Sequence, residues 1–129
     1  MGNTTFDDLL SPTGQAALLE AHRQQPRETD FLAHFQALCR HYPADLARLA
    51  LETAILQREA QSKFPEAVAQ RTYWTREALE QASSFAVSSY RAMRYQPYPL
   101  AADLGCSAGG DTLALAEVTG VIGVDRDLS

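Results

Sequence analysis

No window of this 129-residue chain comes near the roughly 20 uncharged apolar residues that a membrane-spanning helix requires. The N-terminus, Met1-Gly-Asn-Thr-Thr-Phe-Asp-Asp8, also lacks the basic start and apolar centre of a secretory signal. Both absences point to the cytoplasm and away from a membrane partner. Cysteine is scarce: Cys39 and Cys106 stand in unrelated contexts, without a Cys-x-x-Cys or a paired His spacing, which predicts reduced thiols and no zinc. His34 and His41 fall about two helical turns apart with no carboxylate or thiol at ligand spacing, so no metal site is expected. Positive charge is short as well. The chain has 11 Lys and Arg against 16 Asp and Glu, a net charge of −5, whereas a free-standing nucleic-acid binder ordinarily presents a basic face.

What is abundant is apolar and helix-forming sequence, with 46% hydrophobic residues able to supply a core. The first 95 residues repeat with helical period and the last 30 do not; the break falls at Tyr95-Gln-Pro-Tyr-Pro99. Ser11 and Pro12 form an N-cap and first-turn pair for a helix through Arg23, which Pro26 ends. Thr29 or Asp30 caps the next, in which Phe31, Phe35 and Leu38 recur on one face until Pro43 stops it. From Ala44 to about Ser62, Asp45, Arg48, Glu52 and Glu59 share a stripe. Leu46, Leu49, Leu51, Ile55 and Leu56 cover much of the remainder, which marks the buried centre of the N-terminal part.

Beyond Phe64, residues 66–70 form a short helical turn. Thr75 is the next N-cap, with Trp74 before it and Leu79 inside the helix at hydrophobic-staple spacing. Ser83 or Ser84 caps a last helix to about Arg94, on which Ala86, Tyr90 and Met93 share a face. Trp74, Tyr73, Phe64 and Tyr90 are able to stack on a base, but aromatics of this kind are first of all packing residues. Residues 58–95 carry six bases and four acids, and this interleaving describes a solvated helical face before it describes an RNA surface.

The C-terminal segment has a different logic. Residues 100–104 are a short apolar run that ends in Asp103-Leu-Gly105, followed by Cys-Ser-Ala-Gly-Gly110. Glycines at 105, 109 and 110 allow a tight turn and close approach of a ligand, and Cys106 among them packs beneath the strand. Residues 111–118 then make a short helix whose N-terminal amides face the bound molecule, with Gly120 past its end. Residues 121–124 read as a buried parallel strand that delivers Asp125 at its carboxyl edge, where open α/β sheets bind ligands and where a carboxylate takes both ribose hydroxyls.

Dinucleotide sites need G-x-G-x-x-G so that the backbone reaches a pyrophosphate, and here the middle position is Ser107. A carboxylate at Asp103, aimed into the cradle, repels a pyrophosphate but accepts hydrogen bonds from an amino group. S-adenosylmethionine has that ammonium, a sulfonium and an adenosine ribose, so it matches Asp103 and Asp125 better than NAD does.

Asp103-Leu-Gly-Cys-Ser-Ala-Gly-Gly-Asp-Thr112 resembles motif I of class I S-adenosylmethionine-dependent methyltransferases, and Gly123-Val-Asp125 resembles the acidic end of their second strand. The Cys-x-x-Gly-Gly-x-Thr variant is similar to that of trimethylguanosine synthases and of bacterial relatives with a THUMP-like domain. Ser62-Lys-Phe-Pro-Glu-Ala-Val68, Trp74-Thr-Arg-Glu-Ala-Leu-Glu-Gln-Ala82 and Leu10-Ser-Pro-Thr-Gly14 resemble segments of the same proteins. The resemblance implies S-adenosylmethionine as cofactor, RNA as substrate with methylation of guanine N2, and a cradle of Asp103, Gly105, Ser107, Gly109 and Asp125. Ser107 departs from it, since family members usually have Gly there. In that family the acceptor is positioned by a Pro-containing motif after the fourth strand, and nothing here corresponds to it.

The expectation is therefore a mainly α protein: a helical N-terminal domain, residues 1–95, of about five helices. It is followed over residues 100–129 by the first βαβ of a truncated, Rossmann-like methyltransferase domain, inactive as a fragment. Two strands and one helix cannot cover both faces of a sheet, so this tail is expected to be disordered or to pair with a second copy by domain exchange. The alternative is a non-catalytic helical interaction module; an NAD-dependent oxidoreductase fragment ranks below both.

Overall fold

A computed structural model describes residues 4–126. The chain is mainly helical with one small parallel sheet near its C-terminus, and it divides into two compact units, Met1–Arg58 and Glu59–Ser129. No helix among the described residues is long and apolar enough to cross a membrane.

The first unit holds α1 (Phe6–Leu10), α2 (Pro12–Arg23), α3 (Phe31–Leu38) and nearly all of α4 (Ala44–Glu59). Helix α1 is absent from the sequence reading. Only five residues long, it is too short for apolar periodicity to register, and it is set by its cap: the Thr5 amide donates to Asp8 Oδ2 at 2.8 Å. Ser11 ends α1 and starts α2 at once, its hydroxyl donating to Asp8 O at 2.6 Å and accepting from the Gly14 amide at 3.1 Å. A Cβ at Gly14 would lie 2.3 Å from Asp8 O and 2.4 Å from Leu9 O, so glycine is what lets the two helices meet. Asp30 stands at the N-cap of α3 without a side-chain capping bond, because a 3₁₀ turn over Glu28–Asp30 leads into the helix instead.

Helix α4 has the expected division. Asp45, Arg48, Glu52 and Glu59 are exposed, whereas Leu46, Leu51, Ile55 and Leu56 are buried and Leu49 is half-buried. Its buried Gln57 is not an unpaid polar group, since Oε1 accepts from His22 Nε2 at 2.6 Å. His34 Nδ1 is likewise satisfied, 2.8 Å from Gln24 Oε1.

The second unit holds α5 (Glu66–Arg71), α6 (Arg76–Gln81), α7 (Phe85–Ala92), β1 (Leu100–Leu104), α8 (Gly110–Ala116) and β2 (Gly120–Val124). Trp74 and Phe64 are its aromatic core, ring centroids 4.9 Å apart, with the indole N–H donating to Ala69 O at 3.2 Å. Thr75 caps α6 and Ser84 caps α7, each accepting from an amide three residues on. The Lys63 ammonium closes the other end of α6, donating to the carbonyls of Leu79 at 2.7 Å, Glu80 at 3.3 Å and Ala82 at 3.0 Å. On α7 the face shared by Ala86, Tyr90 and Met93 points outward; the helix buries Ser88 and Ala92, and Ala92 packs with Ala114 and Leu115 of α8.

Strands β1 and β2 pair in parallel from Leu100↔Gly120 to Leu104↔Val124 within the same chain. The first strand has the span the apolar run predicts, while Gly120, expected as the residue closing the preceding helix, opens the second. Alternation sends Ala101, Asp103, Val121 and Gly123 to one face of the sheet. Leu100, Leu104, Ile122 and Val124 on the other face stay largely exposed, Leu104 at 78%.

Candidate functional site

The register ends both strands at one level, Leu104 opposite Val124, so that Gly105 and Asp125 leave the sheet side by side. Val124 O accepts from the amides of Gly105 at 2.6 Å and Cys106 at 3.0 Å, and the loop then turns back as Gly109 N donates to Cys106 O at 2.8 Å. The turn needs positive φ at Gly105 (+74°), Ser107 (+50°) and Gly109 (+89°). At the two glycines an added Cβ would meet nothing within 4 Å, so the backbone conformation and not crowding calls for glycine. Gly110 is the converse case, since a Cβ there would lie 3.1 Å from Phe64 Cζ. Gly123 makes room across the sheet for Thr112 Oγ1 and Cys106 Sγ, which a Cβ would approach to 3.2 and 3.3 Å.

Three carboxylates surround this loop, each held by a donor. Asp103, half-buried at the end of β1, accepts from Thr112 Oγ1 at 2.6 Å through its Oδ2. Asp125 Oδ2 accepts from the Ser107 amide at 2.7 Å, which ties the loop to the end of β2. Asp111, in the first turn of α8, accepts through Oδ1 from Ser88 Oγ at 2.6 Å and from Arg91 at 3.3 Å. Arg91 also donates to Ser83 Oγ. A cleft of about 140 Å³ opens between the glycine loop and the end of α6, lined by Trp74, Gln81, Ser83, Cys106, Ser107 and Asp111 among others. Of the three carboxylates, Asp111 is the one in that lining, and Arg91 pairs with it.

Asp103, Gly105, Ser107, Gly109 and Asp125 thus lie at one end of the sheet, in or beside a single loop. The aromatics are scattered: Trp74 and Phe64 are buried, Tyr73 is half-buried and Tyr90 is exposed on α7. Sequence reasoning passed over Asp111, Thr112, Ser88 and Arg91 as site residues. Adjacency to the glycines was a usable signal for the first two. Nothing in the sequence announces that Ser88 and Arg91 face the start of a helix some 20 residues later.

Residues 3–60 match the model of a family described as a domain of unknown function, DUF8688. The match covers the first unit and not the glycine loop. No curated protein and no solved structure matches the chain.

Proposed function

We propose that β1, α8 and β2 are the opening of a Rossmann-like domain and that the loop between Asp103 and Asp125 is the S-adenosylmethionine cradle of a methyltransferase. The observation that carries this reading is the placement of two carboxylates around one positive-φ glycine loop, Asp103 fixed by Thr112 and Asp125 fixed by the Ser107 amide. The donor set fits the cofactor. Asp103 is the acceptor for its ammonium, and the bare backbone at Gly105 and Gly109 admits close approach. Asp125 has two oxygens with about four acceptor directions, the donor-seeking geometry that ribose hydroxyls match.

Bound there, the cofactor supplies a sulfonium methyl to an acceptor aligned behind it, a displacement in which orientation provides most of the acceleration. The residues of this chain hold and orient. Charge-assisted hydrogen bonds at Asp103 and Asp125 contribute about 1.5 to 3 kcal/mol each to that grip. RNA guanine as acceptor rests on the sequence resemblance.

The exposed face of Leu100, Leu104, Ile122 and Val124 bears on a second reading, a helical interaction module without catalysis, because parallel sheets are ordinarily covered on both faces. The same bare face is what a methyltransferase sheet has before further strands and helices join it. Calorimetric titration of S-adenosylmethionine, with NAD as control, separates these readings. It is done on the chain and on a polypeptide whose sheet is completed. Binding to the completed form is expected. Binding to neither would promote the interaction module, and preference for NAD would mean that Asp103 does not face an amino group.

A further inference from the structure

We infer that Ser88 and Arg91 of α7 position the glycine loop through Asp111, making α7 a working part of the cleft and not a neighbouring support. The inference rests on the cofactor reading for its functional meaning and on geometry for its substance. Asp111 follows Gly109 by two residues, so its position and the direction of the φ +89° turn are set together. Its Oδ1 takes two donors from one side of α7: Ser88 Oγ at 2.6 Å and Arg91 at 3.3 Å. Ser88 is 2% exposed, and its buried hydroxyl finds its partner in Asp111, whereas that of the neighbouring Ser89 is buried without one.

Arg91 extends the tie to the opposite wall, because the same nitrogen that reaches Asp111 donates to Ser83 Oγ, and Ser83 lines the cleft together with Asp111. One residue past Arg91, Ala92 packs on Ala114 and Leu115, so the polar tie sits at the end of an apolar contact that fixes the two helices. The loop, α8 and the end of α6 are thereby referred to a single helix. An acid in the first turn of α8 also has a simpler use, complementing the helix dipole. That use involves neither Ser88 nor Arg91, which gives the test its contrast.

The test compares the wild-type chain with Ser88→Ala, Asp111→Asn and Arg91→Lys. Hydrogen exchange is followed at the Gly105, Cys106, Gly109 and Leu113 amides, all of which are hydrogen-bonded within or next to the loop. Expected are exchange about tenfold faster at these amides in Ser88→Ala and Asp111→Asn, a smaller change in Arg91→Lys, and an unchanged rate at the Trp74 indole, which reports the core. Unchanged loop exchange in Ser88→Ala would overturn the inference, and faster exchange in Asp111→Asn alone would assign Asp111 to the dipole.

Calorimetry with S-adenosylmethionine on the sheet-completed polypeptide is the second arm. Binding by the parent with about tenfold weaker binding in Ser88→Ala supports the inference. Equal binding by parent and variant overturns it while leaving the cofactor reading intact. No binding by the parent, with faster loop exchange in the variants, sinks the cofactor reading and leaves the positioning tie standing.

Discussion

The Ser107 amide donates to Asp125 Oδ2 at 2.7 Å from a backbone at φ +50°, the left-handed region that favours glycine. One of the bonds that join the loop to the end of the second strand is thus made by a residue held in an unfavourable conformation. Holding a non-glycine residue there costs on the order of 1 kcal/mol.

Ser107→Gly is therefore expected to stabilise the second unit by at most about 0.5 kcal/mol, the relief of strain slightly outweighing the greater freedom of glycine in the unfolded chain. Urea unfolding followed by Trp74 fluorescence measures it. Destabilisation would show that the serine hydroxyl contributes a contact worth more than the strain.

Asp125→Ala should weaken S-adenosylmethionine binding by on the order of 100-fold in a sheet-completed polypeptide, since the ribose and the Ser107 amide lose one common acceptor. Asp125→Asn, which keeps one carbonyl acceptor, should fall between. Titration calorimetry decides; an affinity unmoved by either change would remove Asp125 from the cradle.

Gly14→Ala should cost the first unit about 1 to 3 kcal/mol, because the new methyl would lie 2.3 Å from Asp8 O and 2.5 Å from Leu9 Cα, backbone atoms that cannot swing aside. Exchange at the Leu9 amide, bonded to Thr5 O at 3.2 Å, should rise as α1 is pushed from α2. An unchanged midpoint would mean that the two helices part without loss.

Tyr42 should make the first unit modestly less stable in alkali. Burial, and then the charge and hydrogen bond of Glu20, raise its phenol above the ordinary value of 10.0, with Arg23 opposing. The folded state therefore prefers the neutral phenol, and stability present below about pH 10 is lost as pH rises and the unfolded chain ionises first. Tyr42→Phe should flatten that decline in thermal unfolding measured from pH 8 to 11. A decline of equal slope in the variant would assign it to other groups.

Much of the architecture was legible because local chemistry wrote it. The Ser11-Pro12 start, the Thr75 cap, a cap at Ser83 or Ser84 that the structure gives to Ser84, and the division of α4 into an exposed charged stripe and a buried apolar one follow from capping and period. The loop between Asp103 and Asp125 was legible for a similar reason, since glycines at fixed offsets between two apolar runs mark where the backbone turns through positive φ. Helix α1 was not, because five residues hold too little periodicity and its cap depends on Asp8 reaching back to Thr5.

The sequence by itself determined the order of the longer helices and of the strands, the position of the turn and the identity of the residues around it, all properties set within a few residues of chain. Of the seven described helices that precede the sheet it showed about five. Tertiary structure decided which faces are used. It turned Tyr90 and Met93 outward and buried Ser88 and Ala92, because α7 meets α8 through small side chains and a carboxylate supplied from beyond the next strand. It also chose the partners of Asp103, Asp111 and Asp125, since a hydrogen bond across 9 to 23 residues exists only once the chain has folded back upon itself.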